Sequence, residues 1–207
     1  MKIILLIIIF GIFIACSGKS DSTDRVYPPK VLDMDKYERY AAKALAYCKQ
    51  KGLNQEFFYL VDMGLHSGYK RFHVWDFKKS ELVKSYMVSH GCGKLPWSST
   101  FSKEKPRFSN EEGSYLSSLG RYIIKERGVS EWGIKVKYLI HGIDKTNSNA
   151  LKRAVVLHSW EQVPDDEVFP EGTPEGWGCP AVSNESMREM DAMLQSAGSS
   201  TLMWMVD

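Results

Sequence analysis

The sequence predicts a mainly β domain of the α+β class, with one helix near its start and one just before its final strand. Three observations carry that reading. Short segments rich in β-branched and aromatic residues recur between clusters of Gly, Ser and Lys. Helical spacing of apolar residues occurs in two stretches. The run Pro96 to Gly113, made of Ser, Lys, Pro and Gly around Trp97, Phe101 and Phe108, is too long for a plain connector, and long loops of this kind tend to serve sites.

The chain opens with Lys2 followed by an apolar run from Ile3 to Ile14. That is shorter than the roughly 20 residues a spanning helix needs, and it ends in small residues, as an export signal does. Ala15-Cys16 resembles a bacterial lipobox, so residues 1–15 are expected to be a lipoprotein signal peptide and Cys16 the lipidated first residue of the mature chain. The alternatives are an ordinary signal peptide cut elsewhere and an uncleaved anchor. Residues 16–30 are polar and end near Pro28-Pro29, a composition that tethers without packing. Residues 31–207 then form one domain, a comfortable length for a single core. With 27 basic and 25 acidic residues the net charge is +2, and nothing in it points to nucleic acid.

Asp35 to Lys51 places Tyr37, Tyr40, Ala41, Ala44, Leu45 and Cys48 on one helical face, with Asp35 and Glu38 as a capping box and Gly52 as the stop. Phe57–Met63, Arg71–Phe77 and Leu82–Ser89 read as an antiparallel meander. Strands resume at Gly120–Glu126, Ile134–Ile140 and Ala154–His158. Ser183 then caps a helix running through Leu194, Gly198 ends it, and Thr201–Val206 is a last buried strand.

Chemistry is concentrated in Gly176-Trp177-Gly178-Cys179-Pro180. A cysteine between Gly and Pro suits a turn, since Pro cannot donate to a strand ladder and Gly is flexible. Upstream, the apolar run Ala154–Leu157 delivers His158 at a strand end, where an imidazole can take a thiol proton and leave a nucleophilic thiolate. Ser89-His90-Gly91-Cys92, with His73 before it, is a rival; Cys92, however, leads into a loop rather than into a capped helix and closing strand. No Cys-x-x-Cys or His-x-x-x-His spacing suggests a metal site, and no cofactor is expected.

These motifs together resemble the YkuD-like L,D-transpeptidases, and within them the murein L,D-transpeptidase catalytic domain family. The resemblance rests on Gly178-Cys179 with its short turn, capped helix and closing strand, on Phe108-Ser109-Asn110 through Gly113-Ser114, Ser117-Ser118 and Gly120, and on Asn147 to Arg153. It covers roughly residues 57 to 207. It implies a closed β-sandwich or barrel and a bacterial cell-envelope enzyme, held to the membrane by lipid, that acts on peptidoglycan stem peptides. Cys179 would attack the bond before the terminal D-alanine of a tetrapeptide stem, with His158 as base and Ser159 orienting it through its main-chain carbonyl. Gly178 and Cys179 amides would hold the oxyanion. An amine acceptor makes this transpeptidation, and water makes it an L,D-carboxypeptidase. Gly176 stands where the family motif carries Ser or Thr, which motivates a further alternative, a catalytically weak peptidoglycan-binding lipoprotein. Trp177 is expected to wall the donor peptide, and Ser109 and Asn110 to line the groove or brace its loop. Arg153 either receives a substrate carboxylate or braces its loop. Cys48 and Cys92 either pair or remain buried thiols.

Overall fold

The computed structural model describes residues 30–95 and 105–207. The expected signal peptide, Cys16, most of the linker, Trp97 and Phe101 lie outside them. Phe57–Asp62 forms strand β1, buried at all six positions, because each of its faces meets a different apolar layer. Phe57, Tyr59 and Val61 point into the main core with Met203 and Met205, while Phe58 and Leu60 point outward onto a helix. That helix, α1 (Met34–Lys51), offers Tyr37, Ala41, Ala44 and Cys48 to them. Its cap differs from the expected box: Asp33 is the N-cap, its carboxylate accepting from Lys36 N at 2.8 Å, and Gly52 closes the helix with φ 65°.

The meander continues as β2 (Phe72–Asp76) and β3 (Glu81–Tyr86), each antiparallel to its predecessor. The remaining strands are β4 (Gly120–Val129), β5 (Val136–Gly142), β6 (Val156–Ser159), β7 (Ala181–Val182) and β8 (Thr201–Val206), with α2 (Asn184–Ser196) between the last two. Among the described residues the strands form one eight-stranded sheet in the order β3-β2-β1-β8-β4-β5-β6-β7. The late strand β8 thus sits near the middle, parallel to β1 and antiparallel to β4. Beyond the two ends of that order, Ser89 N donates to Ala181 O at 2.9 Å and Ala181 N to Ser89 Oγ at 3.3 Å, so the sheet nearly closes into a barrel. Two-residue β7 was not expected as a strand: Pro180 and the Ser183 cap leave Ala181-Val182 too short for a periodic signal, and its pairing to β6 is tertiary.

Ser183 caps α2 as expected, its hydroxyl accepting from Ser186 N at 3.0 Å. Met187 and Met190 of α2 fill the main core, and Arg127 of β4 grips Asp191 at 2.7 and 2.9 Å. Helix α1 covers the outer face of the sheet at β1 and β8. At β5 and β6 the inward residues Tyr138, Ile140 and Leu157 are buried, while the alternate residues Lys137, Leu139, Val156 and His158 line an open groove. Cys48 and Cys92 are free buried thiols, Cys48 within the α1 layer.

Candidate active site

Strand β6 ends by presenting His158, and β7, parallel to it, begins two residues after Cys179. Both residues line a groove of about 760 Å³ and a smaller apolar pocket of about 80 Å³ that they share with Ser89, Trp132, Trp160 and Ala181. The turn that carries Cys179 is held at Gly176 and Gly178. Gly176 N donates to His90 O and Cys92 N to Gly176 O, both at 2.8 Å, which fastens the turn to the segment after β3. Buried Ser117 accepts from Gly91 N at 3.1 Å and donates to Gly178 O at 3.2 Å, tying three segments through one hydroxyl. Gly178 itself has φ 100°, and a Cβ there would stand 2.6 Å from Leu116 O. Only glycine fits.

Beneath the turn runs a buried polar chain. Arg71 donates to His90 Nδ1 at 2.9 Å, and His90 Nε2 lies 3.3 Å from Glu175, the residue before the turn. Burial brings Arg71 down to about 10, so it remains charged at neutral pH, and burial lowers His90, which stays neutral. With Nδ1 accepting from Arg71, Nε2 is left to donate to Glu175. One positive and one negative charge therefore offset each other across a neutral imidazole. The signal for this chain lay in the Ser-His-Gly-Cys stretch that reads as a rival nucleophile motif. Cys92 is 3 % exposed, its thiol directed at Gly93 O, and His73 is occupied elsewhere by Ser85 Oγ at 2.7 Å.

His158 Nδ1 lies 2.9 Å from Ser159 O, a hydrogen bond that puts the proton on Nδ1 and leaves Nε2 as the acceptor. Ser159 Oγ in turn accepts from Ile134 N at 2.9 Å, fixing that carbonyl in place. The Cys179 thiol is bonded to the start of β6 rather than to the imidazole: Sγ accepts from Val156 N at 3.4 Å and donates to Ala154 O at 3.8 Å. The amides of Gly178 and Cys179 make no hydrogen bond among the described residues. They are available to a ligand oxygen.

Burial pushes the Cys179 thiol above the ordinary cysteine value, against the Val156 amide and the charges of Arg153 and Lys137. Burial also pushes His158 down, assisted by Lys137 and opposed by the Ser159 bond and Glu161. The resting pair at neutral pH is consequently thiol and neutral imidazole. Two pH expectations have opposite signs. Alkylation of Cys179 by iodoacetamide rises with a midpoint above the ordinary ~8.5, while the acid limb of any His158-dependent activity falls below ~6.5. Peptide mass mapping across pH checks the first; a midpoint below neutrality would instead mean a thiolate–imidazolium pair.

The other expected residues divide. Trp177, 57 % exposed, lines both cavities and lies against Tyr115 with ring centroids 5.8 Å apart. Arg153 reaches the groove wall, but its terminal nitrogens are engaged by Ser109 O, Ser118 Oγ, Ser114 Oγ and Leu116 O. Ser109 and Asn110 lie behind that wall: Ser118 Oγ donates to Ser109 O at 2.7 Å, and Asn110 bonds Lys145 O, Ser148 Oγ and Asn149 N. Lys137, Val156 and Glu175 carry no motif of their own in the sequence. Strand pairing and packing alone bring them to the site.

Gly176 has open space where a Cβ would stand, and its φ is not of the left-handed kind. Gly176→Ser is expected to fold with stability within about 0.5 kcal/mol of the parent, as surface changes do, checked by thermal unfolding.

Among the described residues, no group of three or more His, Cys, Asp or Glu is placed to hold a metal, and no helix is long and apolar enough to cross a membrane. The chain matches the model of the L,D-transpeptidase catalytic domain over residues 30–204. No curated protein sequence matches it. Similar solved structures include the helical cell shape determining protein Pgp2 from Campylobacter jejuni, at 10 % identity and TM-score 0.44, covering 82 % of this chain and 56 % of that one. An L,D-transpeptidase from Xylanimonas cellulosilytica is similar at 12 % identity and TM-score 0.35, covering 72 % of this chain and 60 % of that one. The chain thus spans less than two thirds of either.

Proposed function

The chain belongs to the L,D-transpeptidase catalytic domain family, and from that membership we propose that it is a cysteine acyltransferase acting on peptidoglycan tetrapeptide stems. One observation supports this most: the Cys179 thiol and the His158 imidazole, its Nδ1 already committed to Ser159 O, line one open groove beside a turn whose residue 178 and 179 amides are unengaged among the described residues. Rotation about the Cys179 side chain releases Sγ from Ala154 O and brings it to His158 Nε2, which takes the proton as Sγ attacks the carbonyl before the terminal D-alanine. Gly178 and Cys179 amides receive the oxyanion. The imidazolium returns the proton to the departing amine, leaving a thioester on Cys179. An amine of a second stem completes a crosslink; water completes an L,D-carboxypeptidase reaction. A lipid on Cys16, with residues 17–30 as tether, would keep the domain beside the wall in the cell envelope.

The test is mass spectrometry of tetrapeptide muropeptides incubated with the protein and with Cys179→Ala. Crosslinked dimers with loss of D-alanine, absent with the variant, establish the transpeptidase, and tripeptides alone establish the carboxypeptidase. The Cys179 thiol's bond to Ala154 O, together with Gly176, favours a second reading, a wall-binding module of weak activity. Unchanged muropeptides that nonetheless bind the folded protein would select it.

A further inference from the structure

One row of the sheet crosses the groove. His158 of β6 stands opposite Lys137 of β5, and Lys137 stands opposite Gly128 of β4. Directly paired residues on one face have Cβ atoms about 5 Å apart, so the strand next to the imidazole carries a cation on the same side. The Lys137 stem leans toward β4 over Gly128, where an added Cβ would be 3.7 Å from Lys137 Cε, so a turn of this flexible side chain is what carries the ammonium to the imidazole side. The groove's other cations are already matched: Lys152 pairs with Glu112 at 2.8 Å, and Arg153 is engaged by its loop. Lys137 is half-buried and has no ion pair or side-chain hydrogen bond among the described residues. Its charge is felt at both Cys179 and His158.

The reaction fixes where the departing group must lie. His158 protonates the leaving nitrogen, so the leaving residue occupies the imidazole side of Cys179. In a terminal amino acid, one carbon separates that nitrogen from a free carboxylate. We propose that Lys137 forms a carboxylate subsite that holds the free terminal carboxylate of the departing residue and so confines cleavage to the last peptide bond of a stem. This deepens the acyl-transfer reading and rests on it. The Sγ–C bond forms, the C–N bond breaks, and the thiol proton passes through His158 to the nitrogen. Lys137 and the carboxylate exchange no proton in the step. An amine that resolves the thioester enters by the reverse path, so an acceptor whose amine-bearing carbon also carries a carboxylate meets the same lysine.

The experiment compares a tetrapeptide stem ending in D-alanine with the same peptide ending in D-alaninamide, for the parent, Lys137→Gln and Lys137→Arg. The parent is expected to prefer the acid by about tenfold or more in kcat/KM, chiefly through KM, as loss of a charge-assisted hydrogen bond implies. Lys137→Gln brings the ratio near one, and Lys137→Arg restores it. A parent that treats acid and amide alike, or a Gln variant that slows both and keeps the ratio, overturns the subsite. Should the folded parent cleave neither peptide, the acyl-transfer reading fails separately. Calorimetric binding of both peptides to Cys179→Ala, with and without Lys137→Gln, then decides the subsite by the same ratio.

Discussion

Alanine at position 179 is expected to reduce release of D-alanine from tetrapeptide stems by at least about 10³-fold, the scale on which removal of a covalent nucleophile acts. Alanine at position 92 is expected to leave the chemistry in place, because the Cys92 thiol is buried and directed at Gly93 O, away from the groove. Its cost falls on the fold instead, through loss of a small buried side chain beside the turn. The two variants separate cleanly in one assay, D-alanine release, paired with one melting curve. Activity surviving in Cys179→Ala and lost in folded Cys92→Ala would move the nucleophile to the Ser-His-Gly-Cys stretch.

The second large effect is expected at Gly178. Its φ of 100° is one that L side chains rarely adopt, and a methyl group there meets Leu116 O at 2.6 Å. Gly178→Ala must therefore move the turn, and the amides of residues 178 and 179 move with it. Loss of one oxyanion donor costs about 10²–10³-fold in kcat, so a fall of at least ~10²-fold is expected, with KM less affected. Stability should fall by about 1–3 kcal/mol from the backbone strain. Steady-state kinetics beside denaturant unfolding would separate the two, and near-parental kcat in this variant would remove the amides of this turn from the mechanism.

Seven of the eight described strands and both helices were legible because their signals are local; β7 was not. Alternation marks β5, capping marks the start of α2 at Ser183, and helical spacing marks α1. Even there, the α1 cap moved from Asp35 to Asp33, since either aspartate satisfies the local rule and the helix begins one residue earlier. The approach of Cys179 to the strand of His158 was legible through the order of motifs. The supports around them were not. Lys137 reaches the groove only because β5 pairs with β6 in the register that sets it against His158, and a register one residue off would bury it. Glu175 meets His90 across a gap that no sequence pattern measures. Arg153 was readable as either a carboxylate receptor or a brace, and its place is decided by a loop whose carbonyls converge on it.

The position of β8 sets a clock on folding. Strand β8 lies between β1 and β4, so roughly 140 residues separate the two parallel partners β1 and β8 along the chain. At about 5–20 residues per second of synthesis, that is roughly 7 to 28 seconds during which β1 and its neighbour β2 have been made and its other neighbour, β8, has not. Until β8 is made, β1, and β4 once it has been synthesised, each present an unpaired strand edge, which other chains can join. The sheet can be completed only after residue 206 is free, and an early-made half of the barrel must be kept from aggregating until then.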